Sequence, residues 1–241
     1  MRDETLFISD LHLTIERPEV TQKFLHFLKH RAPQAKEIYI LGDFFDSWIG
    51  DDDFSPPIGK VKKHLKALTQ SGTQVFYIHG NRDFLIGEKF SQESGVILLD
   101  EYSVIDLYGT PTLLTHGDLL CTDDLAYQDF RVKSRSKEWQ DNVRSKPLIF
   151  RLLFARWYRL RSFFHKRKKS QVIMDVNLKT VESVMSQYNT THLIHGHTHR
   201  QAIHDFQIQG KPAQRFVLAE WTKESTSLLR WDADGYQVEP L

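Results

Sequence analysis

The sequence predicts a layered α/β protein in which short buried strands alternate with helices. Five short runs rich in β-branched and aromatic residues each end in a polar cluster, which is typical of strands. These runs are Thr5–Ile8, Glu37–Leu41, Gln74–Ile78, 111–115 and 191–194. Helical periodicity fills the gaps between the early runs, at Pro18–His30 and Ile58–Gln70. Such alternation is typical of a layered α/β fold.

The last forty residues predict antiparallel hairpins. Apolar and polar residues alternate in four segments, 201–209, 215–220, 227–231 and 235–239, with turn signals at Gln209-Gly210-Lys211 and Asp234-Gly235. A second sheet packed on the first would give a β-sandwich flanked by helices. A single mixed sheet fits the same pattern.

The composition is that of a soluble globular protein, and we expect a single domain over residues 1–241. Of the 241 residues, 40% are hydrophobic and 26% charged, which excludes disorder, collagen-like repeats and a coiled coil. Cys121 has no second cysteine to pair with, and the start Met1-Arg2-Asp3-Glu4 lacks the basic end of a signal peptide. We therefore expect a cytosolic protein. Four arginines interrupt the most apolar stretch, 148–164, so no membrane span is predicted.

The net charge of +1 hides a strong asymmetry along the chain. Residues 131–169 contain 14 Lys and Arg against two acids, Glu138 and Asp141, whereas the rest of the chain has 18 basic and 29 acidic residues. A segment with a net charge of +12 is therefore inserted into a body of −11. This pattern indicates an anionic partner, which could be phosphate, nucleic acid or lipid headgroups.

Two helices are predicted in and beside this basic segment, at 123–135 and 147–164. The second interleaves arginines with large apolar and aromatic residues. On a helical wheel Arg151, Arg156 and Arg159 share one broad side, and Arg161 lies away from it. A core helix with solvated arginines fits this pattern, and so does a helix that lies on an anionic membrane surface.

Side chains of metal-ligand type follow the predicted strands. They are Asp10, His12, Asp43, Asn81, His116, His197 and His199. Residues two apart on a strand point the same way, so Asp10 with His12, and His197 with His199, can each hold one ion. A lone Asp or His after a strand is more often a turn residue, but seven together predict a site for two metals. The mixed nitrogen and oxygen donors suit Mn²⁺, Fe or Zn²⁺ better than Ca²⁺.

Five blocks in this order resemble the calcineurin-like metallophosphoesterases, and the resemblance covers essentially the whole chain. The blocks are Asp10-Leu11-His12, Gly42-Asp43, Gly80-Asn81-Arg82-Asp83, His116-Gly117-Asp118 and Gly196-His197-Thr198-His199. The resemblance implies a four-layer α/β/β/α sandwich. It also implies two metal sites, one formed by Asp10, His12 and His199 and the other by Asn81, His116 and His197, with Asp43 bridging them.

Arg82 stands where many family members carry a histidine that is often proposed as the leaving-group acid. An arginine cannot act as that acid, because its pKa lies above 12. It is better suited to clamp phosphate oxygens, which fits a diester or pyrophosphate substrate. We take Asp43, Asn81, Arg82 and His116 as the catalytic set. Asp46 and residues 51–53 are expected to orient ligands or to face solvent.

A narrower resemblance rests on three longer blocks. Residues 41–53, 80–85 and 116–128 look like those of the pyrophosphohydrolases that act on UDP-2,3-diacylglucosamine in lipid A biosynthesis. By this resemblance a water attacks the α-phosphorus, releasing UMP and 2,3-diacylglucosamine 1-phosphate (lipid X). The substrate-binding residues that it implies are Asn81, Arg82, Asp124, Ser162, Lys166, Lys169 and His197.

The substrate implied by this resemblance has an oily half and an anionic half, and the insert at about 123–169 has both characters. We expect the insert to be a helical lid that helps to line an acyl-chain groove and touches an anionic membrane surface. The expected protein is a monomer that uses two divalent ions, with Mn²⁺ favoured. It would lie peripherally on the cytoplasmic face of the inner membrane and bind no nucleic acid.

Three other functions fit parts of the pattern. A nuclease would use the basic and aromatic insert to track a nucleic acid strand. A binding module without catalysis would retain the fold alone, although all seven ligand positions are intact. A dinucleoside polyphosphate hydrolase would share the metal site, but it has no use for the oily segment after Pro147.

Overall fold

Eleven strands and seven α-helices make up the described part of the chain. A computed structural model describes residues 3–166 and 175–241, with residues 160–166 described by their backbone alone. The strands are Thr5–Ile8 (β1), Glu37–Leu41 (β2), Gln74–Ile78 (β3), Ile97–Leu98 (β4), Ser103–Leu107 (β5), Thr110–Leu114 (β6), His192–His195 (β7), Ala202–Ile208 (β8), Lys211–Val217 (β9), Ser227–Asp232 (β10) and Gly235–Pro240 (β11). The helices are Pro18–His30 (α1), Ile58–Gln70 (α2), Glu88–Ser94 (α3), Leu125–Arg135 (α4), Lys137–Arg144 (α5), Leu148–Lys166 (α6) and Leu178–Gln187 (α7).

The strands form two sheets. The first has the order β11-β10-β1-β2-β3-β4, and its strands β1 to β4 run parallel, while β10 and β11 are antiparallel to their neighbours. The second has the order β5-β6-β7-β9-β8, with a parallel centre and an antiparallel strand at each edge. Both sheets therefore contain parallel central strands, whose carboxyl ends are the usual place for a site in α/β proteins.

Three clusters of buried side chains show how the layers stack. Along β1, Leu6 and Ile8 pack toward α1 and α2, whereas Phe7 between them faces the second sheet. This alternation is why a strand buried on both faces is apolar throughout. Beyond the second sheet, Leu193 packs against Met185 of α7. The order is helix, sheet, sheet, helix, so the expected four-layer sandwich is confirmed.

Most predicted elements are confirmed, and the C-terminal region differs in its placement. The strands predicted at 111–115 and 191–194 shift by one residue, and the strand predicted at 215–220 starts earlier, at Lys211. The hairpin β8–β9 joins the second sheet, but the hairpin β10–β11 extends the first. The C-terminal hairpins therefore do not form one separate layer, because each completes a different sheet.

Four arginines attach the segment from α4 to α6 to the rest of the protein. Arg131 contacts Asp118 and Glu101, and Arg135 donates to the Gly80 carbonyl at 2.9 Å. Arg151 pairs with Asp52, and Arg159 pairs with Asp46. Arg131, Arg151 and Arg159 are thus paired with acids of the body.

The α6 helix presents its apolar side to solvent. Arg151 is 5% exposed, whereas Phe150 is 64% and Trp157 52% exposed. Ile149, Leu153 and Phe154 are exposed with them. The interpretation of α6 as a core helix with solvated arginines is therefore wrong. The helix lies the other way round, because Arg151 and Arg159 pair with carboxylates of the body. None of the described helices is long and apolar enough to cross a membrane.

The interface between the two sheets should carry much of the stability. The Phe216 ring lies 5.1 Å from Trp231 and 4.9 Å from Tyr236, between centroids. We expect Phe216→Ala to lower the free energy of unfolding by about 3–5 kcal/mol, because it leaves a cavity between the sheets. The change is measured by urea unfolding followed by circular dichroism. Phe54→Ala, at a side chain that is 84% exposed, is the matched control and should cost less than about 0.5 kcal/mol; equal costs would contradict this account of the core.

Candidate metal centre

The seven predicted ligands lie at the carboxyl ends of central strands from both sheets. Asp10 and His12 follow β1, Asp43 follows β2 and Asn81 follows β3. His116 follows β6, and the pair His197 and His199 follows β7. The structure brings all seven together, although they come from five separate parts of the chain.

Backbone conformation, rather than strand alternation, turns these side chains inward. The strands β1 and β7 end at Ile8 and His195, before the ligand pairs begin. Five of the seven ligands have a positive φ: Asp10 (56°), His12 (48°), Asp43 (48°), His197 (69°) and His199 (57°). The left-handed region is unfavourable for residues with a Cβ and is found mostly where function requires it. The argument that residues two apart on a strand point the same way is therefore wrong for these pairs.

Glycines at the strand ends let the ligand loops approach each other. A Cβ on Gly80 would lie 2.1 Å from the Asp43 backbone nitrogen, and one on Gly196 would lie 2.3 Å from Asp10 Oδ2. No side chain fits at either position. The glycines of the motifs thus have a packing role, which is to hold the loops after β1 and β7, and after β2 and β3, in contact.

The first group of candidate metal ligands consists of Asp10, His12 and His199. His199 Nε2 lies 3.1 Å from Asp10 Oδ1 and 3.4 Å from His12 Nε2. The buried His12 Nδ1 has no hydrogen-bond partner. Separations of this size suit donors that surround one small ion at about 2.0–2.2 Å each.

The second group lies beside the first and shares Asp10 with it. It joins Asp10 to Asp43 and His116. His116 Nε2 lies 3.1 Å from Asn81 Oδ1 and 3.2 Å from His197 Nδ1. Asp43 lies between the groups, with its carboxylate 3.7 Å from His116 and 3.9 Å from His12. The geometry fits a site for two ions with a carboxylate between them.

The electrostatics of the centre favour bound positive charge. Burial alone would raise the pKa of Asp10, but the hydrogen bond from His199 and the nearby imidazoles lower it well below the usual range. Burial likewise opposes protonation of His199, yet its contacts with Asp10 and Glu220 raise its pKa to about 9. Burial raises the pKa of Asp43 to about 6, against the charges of His116 and Arg82. A divalent cation would supply the positive charge that these buried carboxylates attract, so the residues present fit a metal.

Three supporting residues were not predicted from the sequence. Asp83 accepts from the backbone nitrogens of Phe44 and Gly80, at 2.6 and 2.9 Å, and so joins two ligand loops. Asp118 is buried and accepts from Arg131 Nε at 2.7 Å. Glu220 Oε2 lies 2.9 Å from His199 Nδ1 and thereby orients that imidazole. Asp83 and Asp118 stand inside the motif blocks and so had a signal in the sequence, whereas Glu220 lies outside those blocks.

Of the predicted substrate-binding residues, Arg82 lies next to the metal donors. Its Nε is 3.4 Å from Asp43 Oδ2, and its Nη1 is 2.6 Å from Asp46. Asp124 caps α4 by accepting from the Tyr127 backbone nitrogen at 3.1 Å. The side chains of Ser162 and Lys166, and all of Lys169, lie outside the described residues.

The two remaining histidines near the motifs are held by other groups. His195 is fully buried, and its Nε2 lies 3.2 Å from Arg215 Nη1. Burial lowers the pKa of His195 to about 3. His79 is mostly buried, with Nε2 2.8 Å from the Ile86 carbonyl. His195 is the last residue of β7, and His79 lies just beyond β3.

Comparison with known proteins gives the family. The calcineurin-like phosphoesterase domain matches residues 4–201. The chain belongs to the calcineurin-like phosphoesterase family. Curated relatives of this phosphoesterase named UDP-2,3-diacylglucosamine hydrolase include one from Haemophilus ducreyi, 47% identical over 96% of this chain and 97% of the relative. Another from Actinobacillus succinogenes is 49% identical over 94% of each chain. A third, from Stenotrophomonas maltophilia, is 45% identical over 98% of each.

The contact between Glu220 and His199 should tighten metal binding. We expect Glu220→Ala to weaken the affinity of the phosphoesterase for Mn²⁺ about 10- to 100-fold, because the imidazole loses the carboxylate that orients it. Titration calorimetry with Mn²⁺ measures the change. Glu19→Ala, at a glutamate that contacts Lys223 on the surface, is the control. Unchanged affinity in Glu220→Ala would show that His199 is oriented by other contacts.

Proposed function

We propose that this phosphoesterase hydrolyses the pyrophosphate of UDP-2,3-diacylglucosamine in lipid A biosynthesis. Water attacks the α-phosphorus, and the products are UMP and 2,3-diacylglucosamine 1-phosphate. The observation that carries the proposal is the convergence of the seven predicted ligands beside Arg82, in a chain whose curated relatives bear the name of this hydrolase. A cationic clamp in place of an acid suits a leaving group that is itself a phosphate.

The proposed metal ligands are Asp10, His12 and His199 for one ion and Asn81, His116 and His197 for the other, with Asp43 between them. Bound divalent ions would activate water and neutralise charge on the phosphate oxygens. We favour Mn²⁺ because the donors mix imidazole nitrogen with carboxylate and amide oxygen.

The protein side chains bind and orient the pyrophosphate in this proposal. Arg82 donates hydrogen bonds to the phosphate oxygens and remains charged throughout, so it stabilises negative charge without transferring a proton. Asn81 and His197 would also contact the phosphate. His116 is held in one orientation because its Nδ1 lies 2.8 Å from the Leu41 carbonyl, which directs Nε2 toward the centre.

The segment from about 123 to 169 is proposed as a helical lid within a single domain over 1–241. The first and last helices of this segment contact each other, since Phe130 of α4 stacks on Tyr158 of α6 with 4.6 Å between the ring centroids. We propose that Asp124, Ser162, Lys166 and Lys169 contact the substrate and that the apolar side of α6 borders its acyl chains.

The exposed side of α6 is proposed to face the membrane. Ile149, Phe150, Leu153, Phe154 and Trp157 are all exposed and follow the spacing of one helix face. Arg156 and Lys146 add positive charge nearby. An apolar strip with basic neighbours gives reversible attachment to anionic lipid. We therefore place the protein, as a monomer, at the cytoplasmic face of the inner membrane.

The activity is tested by release of UMP from UDP-2,3-diacylglucosamine in detergent with Mn²⁺. We expect turnover by the wild type and at least about a thousandfold loss in Asp43→Ala, because the carboxylate between the two ligand groups is removed. Asp205→Ala, at an exposed aspartate on β8, is the control. In ¹⁸O-labelled water the label should enter UMP, and label in the sugar phosphate would place the attack on the other phosphorus.

The same assay separates the other functions. Cleavage of single strands or of bis(p-nitrophenyl) phosphate without UMP release would indicate a nuclease. Hydrolysis of dinucleoside polyphosphates in preference to the lipid would indicate that enzyme class. If no phosphoester is hydrolysed with Mn²⁺, Zn²⁺ or Fe²⁺, the result indicates a binding module without catalysis.

Membrane attachment is tested with vesicles that contain phosphatidylglycerol. We expect Phe150→Ser/Trp157→Ser to bind such vesicles at least about tenfold more weakly than the wild type, because two large apolar side chains are lost from the interface. Flotation measures the bound fraction. Val104→Ser/Leu178→Ser, which changes two exposed apolar residues on β5 and α7, is the control. Equal binding by all three proteins would contradict this orientation of α6.

A further inference from the structure

The loop after β2 contacts α6 at two points. Arg151 donates to the Ile49 carbonyl at 2.6 Å and to Asp52 Oδ1 at 2.7 Å. About two turns further along α6, Arg159 pairs with Asp46. The same loop also carries Asp43, whose carboxylate lies near His12 and His116. Both contacts therefore tie the insert to the segment that carries a central ligand.

The two contacts differ in their neighbours. Asp52 is largely exposed, and its partner Arg151 is 5% exposed, so this pair lies at the edge of the body. Asp46 has a side chain that is 6% exposed, and it contacts two guanidinium groups, those of Arg82 and Arg159. A buried carboxylate requires compensation by charge and hydrogen bonds. Arg82 on the body donates a hydrogen bond to Asp46, and Arg159 on the insert adds a second positive charge beside it.

The contact with Asp46 also fixes how Arg82 is presented. Asp46 holds Nη1 at 2.6 Å, while the backbone of Arg82 is held from both sides, because its nitrogen donates to Asp43 Oδ1 at 2.9 Å and its carbonyl accepts from Trp48 at 3.0 Å. A planar guanidinium held at one nitrogen has a defined direction for its remaining N–H groups. The side chain is 28% exposed, so these groups can reach a ligand.

We infer that Asp46 is a positioning residue that orients Arg82 toward the substrate phosphate and links this orientation to the docking of α6 through Arg159. The inference rests on the proposed function, in which Arg82 binds phosphate oxygens. Asp46 itself touches no reacting atom. Substitution of Asp46 lowers activity because Arg82 loses its orientation. Loss of the Arg159 contact also lowers activity, because it weakens the hold of Asp46 on Arg82.

A double-mutant cycle tests the inference. The readout is kcat/KM for UMP release by the full-length protein with Mn²⁺, for the wild type, Asp46→Asn, Arg82→Ala and the double variant. We expect Asp46→Asn to lower kcat/KM about tenfold when Arg82 is present and less than about twofold when it is absent, because residues that act as one unit are not additive. A merely structural role for Asp46 gives the same loss in both backgrounds and overturns the inference.

Two further variants separate the role of Asp46 from effects on folding and from effects of the docking of α6 alone. Arg159→Gln changes an arginine that is 46% exposed, so it should leave the fold intact, and its loss should also shrink when Arg82 is absent. Asp52→Asn is the matched control, since it removes the contact between Asp52 and Arg151 of α6, and Asp52 does not contact Arg82. Its effect should be the same in both backgrounds. If the effects of Arg159→Gln and Arg82→Ala are additive, Asp46 orients Arg82 without help from α6, and the link to α6 is refuted.

Failure of the proposed function is visible in the wild type alone, as an absence of UMP release. The cycle is then run with bis(p-nitrophenyl) phosphate, which also presents phosphate oxygens to Arg82. Non-additivity with that diester supports the role of Asp46, and additivity overturns it.

Discussion

The convergence of seven donors from five strand ends is the constraint on which the rest of the structure depends. Two buried aspartates, Asp10 and Asp43, lie close together, and burial of like charges is unfavourable unless positive charge compensates it. The imidazoles and Arg82 supply part of this compensation, and the donor spacing leaves a divalent ion as the group that completes it. The sandwich fold provides the setting, because parallel strands from both sheets end at the same place.

The convergence requires backbone conformations that an ordinary loop would avoid. Five ligands adopt a positive φ, and the cost of each such conformation is of order 1 kcal/mol. Contacts within the loops hold them there. Asp83 accepts from the loops after β2 and β3, and the His197 backbone nitrogen donates to Asp10 Oδ2 at 2.9 Å. The motif residues that are not ligands thus maintain the conformation of those that are.

Sequence predicts the part of this arrangement that local patterns encode. The strands β1, β2 and β3 and the helices α1 and α2 follow from apolar periodicity, because each buries a continuous or regularly spaced set of side chains. The seven candidate ligands, which the structure brings together, follow from the blocks after those strands. The left-handed conformations do not follow, since Asp and His, although enriched in this region, mostly adopt other conformations. Contacts between layers also decide which sheet each C-terminal hairpin joins. The alternation of apolar and polar residues predicts the hairpins but not these contacts.

The orientation of α6 is the feature that the sequence describes least well, and its cause is electrostatic. An amphipathic helix is expected to bury its apolar face, yet Arg151 and Arg159 meet Asp52 and Asp46 on the body, and the apolar face is left outside. The apolar side chains are then available to a lipid, whereas burial against the body would have removed them. Ion pairs at a partly exposed interface weaken as salt screens them, while apolar contacts do not. Attachment by arginines therefore holds the insert near the candidate metal centre with contacts that are easier to change than a hydrophobic core.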